Sequence, residues 1–367
     1  MTKSPIIFHI HSIYSCNRYK RQISYGKINI LTTTIAACFI LFSGCRKTND
    51  LPSAPDLAEV EPGPCDTPPL RLWLFQQFVS WGKEPTIIAA SEELQMSNLA
   101  NFYALHFENS AENQYFGVNG EYTDQVNKTF TDLKRFWNIR SINVIKVASH
   151  GSMLQDRSKV FEMYKSVYGY SDDKANHYAD SIATLLKKYP QFLNGDHPAF
   201  TFNQFAIPDT TIANVGQIPA KIIIGDGLLQ GFAALGYGDN APQAILAHEF
   251  GHHIQYDLGI LKTGMKLIPK TSRRIELMAD AYAAYFLAHA RGAAMQSNDV
   301  EQVAEVFFNT GDCDFAVDSH HGTPHQRKAA TEWGYSLAKN THKQDHILPT
   351  EEFARLFDAE LNNIVKK

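Results

Sequence analysis

The stretch that most constrains this chain is AHEFGHHIQ, Ala247 to Gln255. Within it His248, Glu249 and His252 form the pattern H-E-x-x-H, which on a helix sets two imidazoles one turn apart. Successive helical residues turn by about 100°, so positions i and i+4 differ by only about 40°, and His248 and His252 point the same way. Two imidazoles so placed can share one tetrahedral zinc ion. Glu249 stands one step round the helix, beside the ligand line, where a carboxylate can take a proton from water without occupying the metal. The competing reading is two exposed histidines on an amphipathic helix.

The helix carries its own punctuation. Asn240 is a suitable N-cap, Gln243 follows it three residues on, and Pro242 falls in the first turn. Gly259, after Leu258, suits the end. Gly251 inside the helix costs about 1 kcal/mol relative to alanine. With Ala244 and Ala247 it makes a small-residue stripe on which another element can pack closely.

A second helix is expected over residues 272–290, SRRIELMADAYAAYFLAHA. Glu276 and Asp280 share one face of it, among Ala279, Ala281, Ala283 and Ala284. The 23 residues between His252 and Glu276 suffice for a helix end, a loop and a new first turn. Catalytic zinc takes three protein ligands and keeps one position open, and His248, His252 and Glu276 would make such a set. Asp280 would then accept the other ring N–H of a ligating histidine and fix its tautomer. An exposed acidic face, the alternative, fits poorly with so alanine-rich a helix.

Further on, Thr323 reads as the cap of a helix with Pro324 at its first position and Gln326 at its third. His321, just ahead of that cap, is either a stabiliser of the oxyanion of a tetrahedral intermediate or part of the cap's own hydrogen bonding. His253 and His320 neighbour better candidates and read as incidental.

The motifs HEFGHHIQ (248–255), ELMAD (276–280), Gly311-Asp312 and His321-Gly322-Thr323-x-x-Gln326-Arg327 occur in that order. The series resembles the bacterial family of neutral zinc metallopeptidases, whose pattern runs H-E-x-G-H-H-x-Q, E-L-x-A-D, H-G-S/T-x-x-Q-R, over roughly residues 240–340. That resemblance implies a zincin of the Glu-ligand type, with His248, His252 and Glu276 holding Zn2+, Glu249 as general base, and a peptide or protein as substrate. The family often has Cys after its E-L-x-A-D, where this chain has Ala281. The expected fold class is α+β: a zincin-like domain with a small sheet and a mostly helical C-terminal half.

The 367-residue chain begins in different material. Lys3, Arg18, Lys20, Arg21 and Lys27 precede an apolar run from Ile28 to Phe42, and no acidic residue occurs before Asp50. A basic region, a short apolar region and small residues describe a secretory signal over residues 1–44. The run is shorter than the ~20 residues that span a bilayer. Ser43-Gly44-Cys45 resembles a bacterial lipobox, implying acylation at Cys45 and a lipid-anchored protein of the cell envelope. The alternative is plain secretion. Residues 45–69, with six prolines and no periodicity, read as a tether.

Loss of the five cationic leader residues takes the formal net charge from −4 to about −9, and no basic stripe appears elsewhere, which excludes a nucleic-acid partner. Cys65 and Cys313 then remain, too far apart in sequence to say whether they pair.

Residues 70–239 read as a mixed α/β part and 240–367 as a helical metal-binding part. Helical periodicity covers 121–137, 159–168 and 174–189, and strands are expected at 143–148 and 200–207. His150-Gly151-Ser152 reads as a turn. The β-branched run Lys221–Gly225 is either an edge that pairs with extended substrate backbone or a buried strand. A zinc-dependent peptidase is the reading that uses most of these residues; a non-catalytic envelope lipoprotein retaining the scaffold for binding is the alternative.

Overall fold

A computed structural model describes residues 57–91, 93–139, 143–339 and 346–367. The expected signal, Cys45 and the tether up to residue 56 lie outside the described residues. Among those described, twelve α-helices accompany five short strands, an α+β arrangement. The first part runs α1 (Pro69–Trp81), α2 (Lys83–Ala89), α3 (Met96–His106), α4 (Thr123–Phe136), β1 (Ile145–Ser149), α5 (Arg157–Glu162) and α6 (Asp172–Lys188). Then come β2 (Gln204–Ile207), β3 (Thr210–Ile212), β4 (Gly216–Ile218), β5 (Lys221–Gly225) and α7 (Asp226–Ala234). The last part is helical: α8 (Ala241–Asp257), α9 (Pro269–Ala288), α10 (Ser297–Thr310), α11 (Pro324–Lys339) and α12 (Thr350–Ile364). Among the described residues no helix is long and apolar enough to cross a membrane.

The main sheet has three strands in the order β1-β5-β2, with β1 parallel and β2 antiparallel to β5; β3 and β4 form a separate hairpin. All five residues of β5 are buried, because Ile222 and Ile224 face one layer while Ile223 faces another with Val147, Phe205, Ala104 and Leu105. A strand buried on both faces needs a continuous apolar run, which Ile222-Ile223-Ile224 supplies. β5 is also flanked on both sides. It therefore has no free edge for a substrate, and the substrate-pairing role weighed for Lys221–Gly225 is overturned.

The amine of Lys221 is fully buried and donates to Ala104 O (3.2 Å), Leu105 O (3.1 Å), Glu108 O (2.7 Å) and Asn109 Oδ1 (2.6 Å). It thus satisfies carbonyls that the end of α3 leaves without helical partners.

α9 is the centre of the helical part, with every residue from Ser272 to Ala288 buried. Small residues let its neighbours in. A Cβ added at Gly251 of α8 would stand 3.1 Å from Ala279 Cα, and one at Gly334 of α11 would stand 2.4 Å from Ala281 O. The glycine in mid-α8 is thus the condition for α8 and α9 to approach. Leu277, Tyr282, Phe286 and Leu287 of α9 leave water completely, each contributing about 1.5–3 kcal/mol.

Residues 57–68 form no helix or strand but lie fastened along the domain. Arg273 donates to Ala58 O at 2.7 Å, Lys270 pairs with Glu59, and Cys65 is disulfide-bonded to Cys313 with Cα atoms 5.8 Å apart.

Candidate metal centre

α8 contributes His248, Glu249 and His252, which are 2, 2 and 8% exposed. Their ligand-capable atoms all lie within 4.8 Å of one another, so this buried group can hold a metal ion. The two imidazoles face each other edge to face, centroids 4.7 Å apart. The start of α8 differs in detail from its expected capping. Asn240 does occupy the N-cap, but its side chain donates to Gln302 Oε1 of α10 at 2.9 Å rather than capping the helix. A tertiary partner has outbid the local one.

Across from α8, α9 brings Glu276 and Asp280 into the same pocket of polarity. Glu276 Oε2 is 3.4 Å from His248 Nε2, and Oε1 is 3.5 Å from His252 Nε2. The other ring nitrogens are engaged. Asp280 can only accept as a carboxylate, so the Nδ1–H of His248 donates to its Oδ1 at 2.9 Å. Gln255 donates through Nε2 to Ile275 O at 2.7 Å, which leaves Oε1 to accept from His252 Nδ1–H at 2.9 Å. Both imidazoles therefore hold a proton on Nδ1 and turn Nε2 toward Glu276.

Electrostatics separate these groups. Burial works against a charged His248, but its hydrogen bonds to Asp280 and Glu276 carry it up to about 9. Burial takes His252 the other way, to about 4. Glu276 also pays for burial, yet His252, His321 and His248 together hold it well below the ordinary carboxylate range. Glu249, pushed up by burial, reaches about 7, and its Oε2 has no hydrogen-bond partner.

Two groups that sequence reasoning left without a role complete the surroundings. Arg327 of α11, 1% exposed, forks onto Asp280, with Nη2 2.7 Å from Oδ1 and Nε on Oδ2, and reaches Glu276 Oε2 from Nη1 at 3.4 Å. Asp312, in the loop between α10 and α11, receives His320 Nδ1 at 2.5 Å on Oδ1. Its Oδ2 receives the main-chain N–H of His321 at 2.7 Å and His321 Nδ1 at 3.0 Å. His320 is thereby part of the same bonded group, not the incidental neighbour expected. The signals were present as the Arg327 and Asp312 of the motif series, but their partners lie on other elements.

His321 is close enough to sense the centre. Burial opposes its charge, while Glu276 and Asp312 raise it above the ordinary histidine value. A cavity of about 40 Å³ opens beside it, lined among others by Leu70, Arg71, Phe202, Asp312 and Asp314. The cap behind His321 has the expected reciprocal form: Gln326 N donates to Thr323 Oγ1 and Thr323 N to Gln326 Oε1, both at 3.2 Å. His253 faces the sheet instead, donating from Nε2 to Lys221 O at 3.2 Å. His150 lies far along the sheet from that contact, just past β1 and ahead of a 3₁₀ turn (Gly151–Gln155). There it stacks on Tyr115 and donates from Nδ1 to Asp226 at 2.7 Å.

Compared with protein-family models, with curated proteins and with solved structures, the chain matches none.

Proposed function

We propose that this chain is a zinc-dependent peptidase of zincin-like fold, belonging with the neutral zinc metallopeptidases its motifs resemble and held in the bacterial cell envelope by an acylated Cys45. The observation that carries the catalytic reading is the convergence of Nε2 of His248, Nε2 of His252 and the carboxylate of Glu276 at 3.4 and 3.5 Å. Ligand atoms around a tetrahedral zinc, bonded at ~2.0–2.1 Å, stand about 3.3 Å apart, and the approach of each imidazole to one oxygen of Glu276 is close to that spacing, which supports zinc. When bound, zinc supplies Lewis acidity that acidifies water and polarises a carbonyl.

The chain's own residues supply the rest. Asp280 and Gln255 hold the two imidazoles in the tautomer that turns Nε2 inward. Arg327 neutralises Asp280 and keeps its carboxylate in place. Glu249, off the ligand line and with a free Oε2, takes a proton from the attacking water and returns it to the leaving amine. The proton affinity of Glu249, near 7 through burial, would fall with a dication held beside it. His321, held in place by Asp312, in its protonated form donates to the oxyanion.

The test measures zinc stoichiometry and cleavage of a diverse peptide library together, on wild type, Glu249→Gln and His252→Ala. Wild type should hold about one zinc per chain and cleave. Glu249→Gln should keep zinc and lose activity on the order of 10²–10⁴-fold, and His252→Ala should lose zinc. Zinc bound without any cleavage by wild type would favour a binding scaffold; substantial activity in Glu249→Gln would end the proposed mechanism.

A further inference from the structure

The connection from α8 to α9 has a composition unlike the rest of the protein. From Leu258 to Ile275 there is no Asp or Glu, while Lys262, Lys266, Lys270, Arg273 and Arg274 all fall within it, in a chain of net charge −4. The two arginines are buried, and Arg274 is held by both oxygens of Asp358 at 2.7 and 2.8 Å. The lysines are at the surface. Lys262 and Lys266 are exposed and, among the described residues, have no ion-pair partner, whereas Lys270 is taken by Glu59.

Between these cations the loop presents apolar side chains to solvent, Met265 at 39% and Ile268 at 38% exposure. Its tip is a tight turn, Met265 N donating to Lys262 O at 3.0 Å, with Gly264 at φ +73° as such a turn requires. A turn that raises a methionine and an isoleucine among lysines is suited to the interface of an anionic bilayer, where apolar tips enter the headgroup layer and each lysine meets negative lipid.

The loop also lies where the chain enters the fold. Glu59 bonds Lys270 and Ala58 O accepts from Arg273, so the N-terminal segment meets the domain at the base of this connection. Leu57 follows Cys45 by only twelve residues, a reach of about 40 Å when fully extended.

We infer that the loop 260–268 is a second membrane contact, docking on anionic phospholipid and orienting a domain tethered through Cys45. The inference rests on the anchored-lipoprotein reading for its setting, though the loop's own affinity does not need the acyl chain.

The experiment follows amide hydrogen exchange by mass spectrometry in the full chain and its Cys45→Ser variant. Each is mixed with vesicles of phosphatidylethanolamine and phosphatidylglycerol, or of phosphatidylcholine alone. Amides of residues 262–268 should slow several-fold on the anionic vesicles and not on the neutral ones. A Lys262→Gln/Lys266→Gln double variant should need roughly 30-fold more lipid for the same slowing, about fivefold per lysine. A Met265→Ser/Ile268→Ser variant, its charge unchanged, should also need more, which separates insertion from attraction alone. Unchanged exchange on anionic vesicles would overturn the inference. So would slowing that grows with protein concentration without vesicles, or protection confined to α1, where Leu72, Phe75 and Val79 are also exposed. Failure of the anchor reading shows separately, as absence of palmitate label from wild type, while the loop's exchange is still read.

Discussion

Asp312 holds His321 twice with one oxygen: its Oδ2 accepts the main-chain N–H at 2.7 Å and the ring Nδ1–H at 3.0 Å. The ring is thereby fixed in direction, with a proton held on Nδ1. Burial alone would raise the Asp312 carboxyl, but the hydrogen bonds from His320 and His321 overcome it and hold the group well below the usual range.

Asp312→Asn should therefore leave zinc content unchanged while lowering kcat on the order of 10–100-fold, with KM little altered. An amide cannot accept from both histidines as a carboxylate does, and His321 would lose a partner that raises its affinity for a proton. In the pH profile, the limb on which activity falls with rising pH should move to lower pH. A uniform loss with an unshifted limb would assign Asp312 a purely structural part.

Metal uptake should release protons. In the metal-free protein His248 is held up to about 9, so at pH 7 it is charged and must lose a proton to bind; His252, near 4, is already neutral. Competition runs one way: below about pH 9, each step downward in pH should weaken zinc binding, by about tenfold per unit or more. Calorimetric titration in buffers of different ionisation enthalpy should return more than one proton released near pH 7, about one from His248 and part of another from Glu249.

Arg327→Met should destabilise the metal-free fold by about 3–5 kcal/mol, because it takes the forked partner from the buried carboxylate of Asp280 and leaves that carboxylate to His248. Arg327→Lys should recover little of that loss, since a point charge cannot fork onto two oxygens. Urea unfolding of the three proteins measures this, and near-wild-type stability of Arg327→Met would show that His248 suffices as the partner of Asp280.

Lys221→Met should cost on the order of 3 kcal/mol, also in urea unfolding, although methionine fits the volume. The amine now bonds four oxygens at 2.6–3.2 Å, and removing it deprives the buried carbonyls of Ala104 and Leu105, at the end of α3, of that donor.

What could be read from the sequence is what the helical period fixes. His248 with His252, and Glu276 with Asp280, are i, i+4 pairs, so their shared faces follow from 3.6 residues per turn. The small residues that let α8 meet α9 were legible for the same reason. Partnerships between distant elements were not. Arg327 lies 47 positions beyond Asp280, and nothing local says that α11 delivers it there. Asn240 looks like an N-cap because local propensity is all a sequence displays, and its actual partner, Gln302, comes from α10. The run Ile222–Ile224 announces a strand but not its neighbours; pairing on both sides is a property of β1 and β2, which arrive from elsewhere.

The bond between Cys65 and Cys313 joins residues 248 positions apart, and every side chain of the centre except Arg327, His320 and His321 lies on the arc between them. The domain is therefore largely a covalent ring. A protease that nicks any exposed loop on that arc opens the ring without producing two molecules: the pieces stay linked at Cys65, the protein migrates as one species until reduced, and the helices bearing the histidines remain tied to the loop bearing Asp312. Wherever thiols stay oxidised, a single cut is thus turned from a loss of the molecule into a local scar.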